Sequence, residues 1–435
     1  MTKFRVVVAA LAAIPLWAAP GIAQAATPAA AKTTSVGFTL NAKVLDGGEQ
    51  VTSVRINTSK LGKIKASSLT TSTFTVHAKS TSPVTVGSTD AIYSLYDEDR
   101  VITGVSLTKG DVVITFKTGQ GVSGASTLGY FVPGGDMGAA RKVLLNLTYT
   151  ITQNSPLTLT NGKSVTISSF TQGKLSDPEV DAFAYGSSNG IKYRLYTPAT
   201  HSGKRPLIVW LHGNGEGGLG TAGATNYNNE SPLRANRGAL AMTGKDAQKL
   251  FGNAYVVAPQ VPDTWYNIDS AGYATKIKAL INSVVKKHKI NTDRIYVMGA
   301  SAGGMMTLQM AGRYPSFFAA ATASAPAIYV NRNSAYTMTE EQLLKLKTTP
   351  TWLVQATNDA TIDYTKSSLW AYDLLKEFGS VNLTTYDNVT WNGVTYNGHW
   401  SWVYTAHNDP SKTVQNRYGN SETVHVWQWM AGNKR

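Results

Sequence analysis

The sequence predicts an all-β sandwich followed by an α/β domain whose mainly parallel sheet is covered by helices on both faces. Three observations carry this expectation. From about residue 34 to 171 the chain is rich in Ser, Thr, Val and Gly and alternates over short stretches, the period of strands. From residue 178 onward, continuous apolar runs alternate with stretches of helical period, the pattern of a covered parallel sheet. The 435 residues also exceed what one hydrophobic core serves, so two folded units are expected behind a short leader.

The leader is residues 1–25. Lys3 and Arg5 precede an apolar run over residues 6–19, and small residues end in Ala23-Gln24-Ala25, so the segment reads as a cleaved signal peptide. The run is short of the roughly 20 residues a spanning helix needs. A secreted protein is expected, extracellular or associated with the cell wall, with no membrane span. It has no cysteine, which excludes a disulfide scaffold and a thiol nucleophile. The net charge of +14 is spread as single Lys and Arg residues rather than in runs. That spread argues against a nucleic-acid partner and allows only weak, salt-sensitive attraction to an anionic cell wall or substrate.

Within the first unit, residues 33–175, the alternation is clearest in Ser53-Val54-Arg55-Ile56-Asn57, Phe74-Thr75-Val76-His77 and Val112-Val113-Ile114-Thr115-Phe116. Roughly seven to nine short strands without a helix fit an immunoglobulin-like sandwich lacking the inter-sheet disulfide. Ser176-Asp177-Pro178 marks the boundary. In the second unit, residues 178–435, the runs at 207–211 and 254–258 are buried strands. Ile277, Leu280, Ile281, Val284 and Val285 form one apolar stripe of a helix. A strand over 294–298, a helix over 302–313, strands at 352–355 and 382–386 and a helix over 367–378 complete the alternation.

Between the strand at 294–298 and the helix at 302–313 stands Gly299-Ala300-Ser301-Ala302-Gly303. A serine in G-x-S-x-G at a strand-to-helix turn has its hydroxyl lifted above the sheet, while small neighbours let the backbone pass closely. Ser301 is therefore the candidate nucleophile, with the Ala302 N–H as one oxyanion donor. The second donor is expected after an earlier strand, in His212-Gly213-Asn214-Gly215-Glu216-Gly217-Gly218, and is assigned to the Asn214 N–H with Gly215 as the alternative. His212 precedes the nucleophile and is read as a brace for this loop. Gly213, Gly215 and Gly218 also match a dinucleotide fingerprint, but no second strand and acidic residue follow about 20 residues on, which excludes that reading.

Chain order Ser, acid, His prunes the remaining candidates. Asp359 lies just past the strand at 352–355 and is the expected acid; Asp363 is the alternative and suits a turn or cap better. Only His399, His407 and His425 follow it. His399, in Gly398-His399-Trp400-Ser401-Trp402, is the expected base, His407 its rival, and His425 a packing residue at the start of a terminal helix.

With these residues placed, the region from about Val180 to the C-terminus resembles the esterase and predicted-peptidase branch of α/β-hydrolases related to secreted polyhydroxybutyrate depolymerases and feruloyl esterases. The motifs are Leu211-His212-Gly213-Asn214-Gly215-Glu216, Ala258-Pro259-Gln260 with Trp265, Gly299 to Gly304, and Gly398-His399 with Trp402. The β-rich unit makes the layout similar to esterases with an immunoglobulin-like N-terminal domain. Relatives often carry Cys where Val261 stands, and usually Gly where Ala356 stands. The resemblance implies that Gln260 and Trp265 lie close to the catalytic pocket, and Trp402 is expected to help line it with aromatic surface.

No H-E-x-x-H and no cysteine ligands occur, and Asp97-Glu98-Asp99 reads as a solvated turn rather than a calcium loop, so no metal and no cofactor are expected. The expected function is a serine carboxylesterase acting on a small-molecule or polymeric ester through an acyl-Ser301 intermediate. A peptidase of the same fold is the alternative, since the triad alone does not separate ester from amide. A surface or polysaccharide-binding protein with an inactive hydrolase half is the alternative of a different class.

Overall fold

Along the strand Arg205–Leu211, Leu207, Val209 and Leu211 are buried on one side while Ile208 and Trp210 are buried on the other. This period of two splits the α/β half into two cores, one on each face of the sheet. The computed structural model describes residues 34–199, 202–221, 223–415 and 418–435; the expected signal peptide lies outside these residues. Eight strands form the sheet, in the spatial order 183–188, 191–196, 255–260, 205–211, 290–300, 320–324, 351–356 and 381–386. The first three are antiparallel neighbours and the rest pair in parallel. On one face pack the helices Tyr273–Lys287, Ala302–Arg313 and Ser368–Leu375. On the other lie Lys245–Phe251 and Val426–Gly432 with short helical turns. This is the α/β-hydrolase fold.

The β-rich half has a five-stranded sheet, ordered 169–176, 35–45, 48–56, 111–116 and 102–108, facing a three-stranded sheet of 146–153, 74–81 and 97–99. Val54, Ile56, Val76, Ile114 and Ile151 fill the space between them. The acidic run at 97–99 is an edge strand rather than a turn: Asp97 and Asp99 each bond His77, at 2.7 and 2.8 Å, on an exposed surface. A further sheet, 91–93, 128–132 and 141–144, leans on the hydrolase half, and its Phe131 and Val143 pack with Leu219.

The halves are joined by buried charge as well as apolar contact. Val44 sits in the core of the hydrolase half. Glu49 bonds Arg234, which also reaches Glu230 at 2.6 Å; Glu230 in turn takes Arg194 at 3.1 Å. Arg237 grips Glu179 with two bonds of 2.9 Å.

Candidate active site

The strand Ile290–Ala300 delivers the chain to Ser301, whose backbone is at φ 56°, ψ −122°, before the helix Ala302–Arg313 begins. Such a conformation persists in a non-glycine residue only when its surroundings over-determine it. Here the Ser301 N–H donates to the Ser324 carbonyl at 2.9 Å, and the Ser301 carbonyl accepts from Ala327 and Met305, each at 3.0 Å. Gly303 is needed for close approach, since a Cβ there would lie 2.0 Å from the Leu211 carbonyl oxygen. The turn is thereby wedged against the end of the strand that leads to the Asn214 loop.

Ser301 Oγ lies 2.9 Å from His399 Nε2, and His399 Nδ1 lies 2.9 Å from Asp359 Oδ2. The His399 side chain is 11% exposed and that of Asp359 is fully buried. Asp359 Oδ1 also accepts the N–H groups of Thr361 and Ile362, at 2.9 and 3.0 Å, and Oδ2 accepts Gln355 Nε2 at 3.2 Å. With three donors already on it, the carboxylate is an acceptor toward the imidazole. The proton is thus placed on Nδ1, and the Nε2 lone pair faces the Ser301 hydroxyl. The Trp402 ring meets His399 edge-on at 5.3 Å and limits its rotation.

The alternatives serve other roles. Asp363 accepts from the Thr365 hydroxyl at 2.7 Å and the Lys366 N–H at 3.1 Å, and the Thr365 bond holds it below the usual carboxylate range. His407 bonds Asp46 of the β half at 2.8 Å and stacks on Trp391. His425 bonds the Asp409 carbonyl just ahead of the last helix.

A cleft of about 640 Å³ opens above Ser301 and His399, bordered by Gly213, Asn214 and Gly215. Asn214 is the first residue of a 3-10 turn, Asn214–Glu216, and Ala302 the first residue of the helix after Ser301. Their N–H groups have no partner within their own helices. A transition-state oxyanion above Ser301 would sit where helix-end amides favour negative charge.

Residues 191–367 match the family described as Esterase PHB depolymerase, and residues 38–166 match the Esterase Ig-like N-terminal domain. The hydrolase half belongs to this esterase family. Feruloyl esterase B of Neurospora crassa is 32% identical over 145 residues, covering 31% of this chain and 44% of that protein. Poly(3-hydroxyalkanoate) depolymerase C of Paucimonas lemoignei is 31% identical over 169 residues, covering 35% and 36%. The chain thus spans less than half the length of these curated relatives. The crystal structure of a thermostable esterase has the same fold across both halves, with a TM-score of 0.69, 23% identity and coverage of 92% of this chain and 99% of that one.

Two residues expected near the pocket of this esterase-family half are placed elsewhere. Gln260 and Trp265 are completely buried and do not border the cleft. Gln260 Nε2 donates to the carbonyls of Glu216 and Asn226, both at 2.9 Å, and its Oε1 accepts the Asn229 N–H at 2.7 Å. Trp265 Nε1 donates to the His212 carbonyl at 2.7 Å. Both brace the Asn214 loop from behind, because a buried amide and indole take the partners that satisfy their polar atoms. Trp402 does border the cleft, as does Trp400. The sequence reading missed Tyr130, Met137 and Lys142 of the β half, and Tyr266 and Arg332, all of which line the same cleft. No local pattern marks them, since they meet only when the halves dock.

His212 is buried beside Trp265, with ring centroids 4.9 Å apart. Its Nδ1 bonds the Gly213 carbonyl at 2.7 Å and its Nε2 accepts the Val261 N–H at 3.2 Å, which requires a neutral ring. Burial lowers its pKa from 6.5 to about 4. Between these values the unfolded chain binds a proton that the folded chain refuses, so this contribution to stability is intact above pH 6.5 and is lost as pH falls toward 4. The full loss is roughly 3 kcal/mol. Unfolding curves of wild type and His212→Asn should therefore converge as pH drops through this window. A stability difference that stays constant with pH would exclude this role.

Proposed function

We propose that the chain is a secreted serine carboxylesterase whose nucleophile is Ser301. The observation that carries the reading is the continuous chain of bonds from Ser301 Oγ through His399 to buried Asp359, at 2.9 Å each, on the floor of an open cleft. His399 Nε2 takes the Ser301 proton as Oγ attacks the ester carbonyl carbon, while Asp359 holds the ring orientation and stabilises the imidazolium. The N–H groups of Ala302 and Asn214 receive the oxyanion. Collapse expels the alcohol, which takes the proton from His399; water then repeats the sequence on the acyl-enzyme and releases the acid.

The relatives named above support a carboxylic ester, small or polymeric, as the substrate class. Residues 1–25 act as the export signal in this reading, residues 33–175 form the immunoglobulin-like unit and residues 178–435 the hydrolase unit. Weak wall association follows from the +14 charge. An aryl fluorophosphonate is expected to label the mature protein at Ser301 and to leave Ser301→Ala unlabelled. Equal labelling of both proteins would defeat the assignment. Faster turnover of peptide amides than of short-chain aryl esters would move the reading to a peptidase.

A further inference from the structure

We propose that Arg141 of the β-rich half is a positioning residue that holds the Asn214 oxyanion loop of the hydrolase half in its productive place. The inference rests on the serine-esterase reading above and goes beyond it, because it makes the N-terminal half a working part of transition-state stabilisation.

Arg141 is 6% exposed, and its guanidinium forms no ion pair among the described residues. Burial lowers its pKa, and an isolated buried cation is costly unless its donors are used. Here they go to carbonyls. Nε donates to Gly218 across the interface at 3.0 Å, and Nη1 donates to Ala140 at 2.8 Å and to Gly138 at 3.3 Å. Gly218 is the last residue of the glycine-rich loop. At the loop's other end, Asn214 Nδ2 donates to the same Gly138 carbonyl, at 2.9 Å. One guanidinium and one carbonyl of the β half thus tie down both ends of the turn that presents the Asn214 N–H.

The middle of the turn is held from the same side. Lys142 Nζ lies 3.3 Å from Glu216 Oε1, and the Tyr130 ring covers Gly215, where a Cβ would meet it at 3.4 Å, ordinary packing contact. The glycines permit this. At Gly217 and Gly218 a Cβ would lie 2.0 and 2.2 Å from the carbonyl oxygens of Asp263 and Pro262, so the loop is pressed between the β half and the segment after the strand Tyr255–Gln260. A glycine-rich loop whose Asn214 and Glu216 side chains both anchor on the β half depends on that half for its place, and an oxyanion donor works only within a few tenths of an ångström of its position.

The test uses the full mature chain carrying Arg141→Met or Arg141→Lys. Active sites are first counted by exhaustive fluorophosphonate titration, so that lost protein is not read as lost rate. Arg141→Met should lower kcat per titrated site by about 10- to 100-fold, with KM changed less than about threefold. The Ki of an arylboronic acid, which mimics the tetrahedral intermediate, should rise by the same factor as kcat/KM falls. Arg141→Lys keeps the buried charge on a single donor nitrogen and should recover part of the rate. If Arg141→Met does not fold, Arg141→Lys decides, with a several-fold loss of kcat at unchanged KM expected. A kcat per titrated site equal to wild type, even with a lower melting temperature, would overturn the proposal and leave Arg141 a structural tie. A wild-type chain that neither titrates nor hydrolyses esters would overturn the serine-esterase reading, and this one with it.

Discussion

Ser301→Ala is expected to lower kcat on an aryl ester by about 10⁶-fold, and adding His399→Ala to it should cost almost nothing more. The reason is that the two groups act in one event: the imidazole has no proton to take once the hydroxyl is gone. Asp359→Asn should cost less, about 10⁴-fold. An amide in place of the carboxylate gives up the 3.2 Å bond from Gln355 Nε2 but still accepts the N–H groups of Thr361 and Ile362 through its oxygen, so the loop should keep its shape. Its NH₂ then faces His399 Nδ1 and favours the tautomer with the proton on Nε2, the wrong one for accepting from Ser301. Single-turnover rates on the three variants give the measurement. Additive losses in the double variant, or an Asp359→Asn enzyme within tenfold of wild type, would mean that the bonded geometry is not the reacting one.

How much of this arrangement could be read from sequence depended on how local its cause was. Strand, turn and helix around Ser301 are set by contiguous residues, and the parallel sheet then fixes chain order, so Asp359 and His399 could be named from position alone. Gln260 ends a strand and Trp265 opens the 3-10 turn after it, but neither carries such a constraint. Their burial is decided by partners such as Asn226, Asn229 and the His212 carbonyl, which meet them only in the folded chain. The β half's share of the cleft was illegible for the same reason. Gly138 and Asn214 are 76 residues apart, and Tyr130 reads as an ordinary strand residue until the halves dock.

That docking leads to the second large effect, a loss of about 3–5 kcal/mol of stability on replacing Arg234 with Met. The side chains of Glu49, Glu230 and Arg234 are 0%, 8% and 8% exposed, so the guanidinium neutralises two carboxylates where water cannot. Met fills much of the volume and supplies none of the charge. Glu230 keeps Arg194 at 3.1 Å, whereas Glu49 keeps the Thr127 hydroxyl at 2.6 Å and faces the Asp177 carboxyl, so most of the penalty falls on Glu49. Burial already raises the Glu49 carboxyl to about 7 beside its cation, and in the variant, deprived of that cation, it must titrate higher still. A raised folded pKa gives stability that is present below the unfolded pKa and lost as pH rises through the folded one; wild type stops losing it near pH 7 and the variant goes on, so the defect should be small below about pH 7 and grow above it. Glu49→Gln in the Arg234→Met background should recover part of the loss above pH 7 and none at low pH. Every Trp beyond residue 17 lies at 210 or later, so indole fluorescence follows the hydrolase half alone while far-ultraviolet dichroism follows both. Because Glu49 and Arg234 belong to different halves, the two signals should separate in denaturant for the variant and coincide for wild type. Coincident transitions with a loss under about 1 kcal/mol would mean that the carboxylates are hydrated and that apolar contact, not this buried charge, joins the halves.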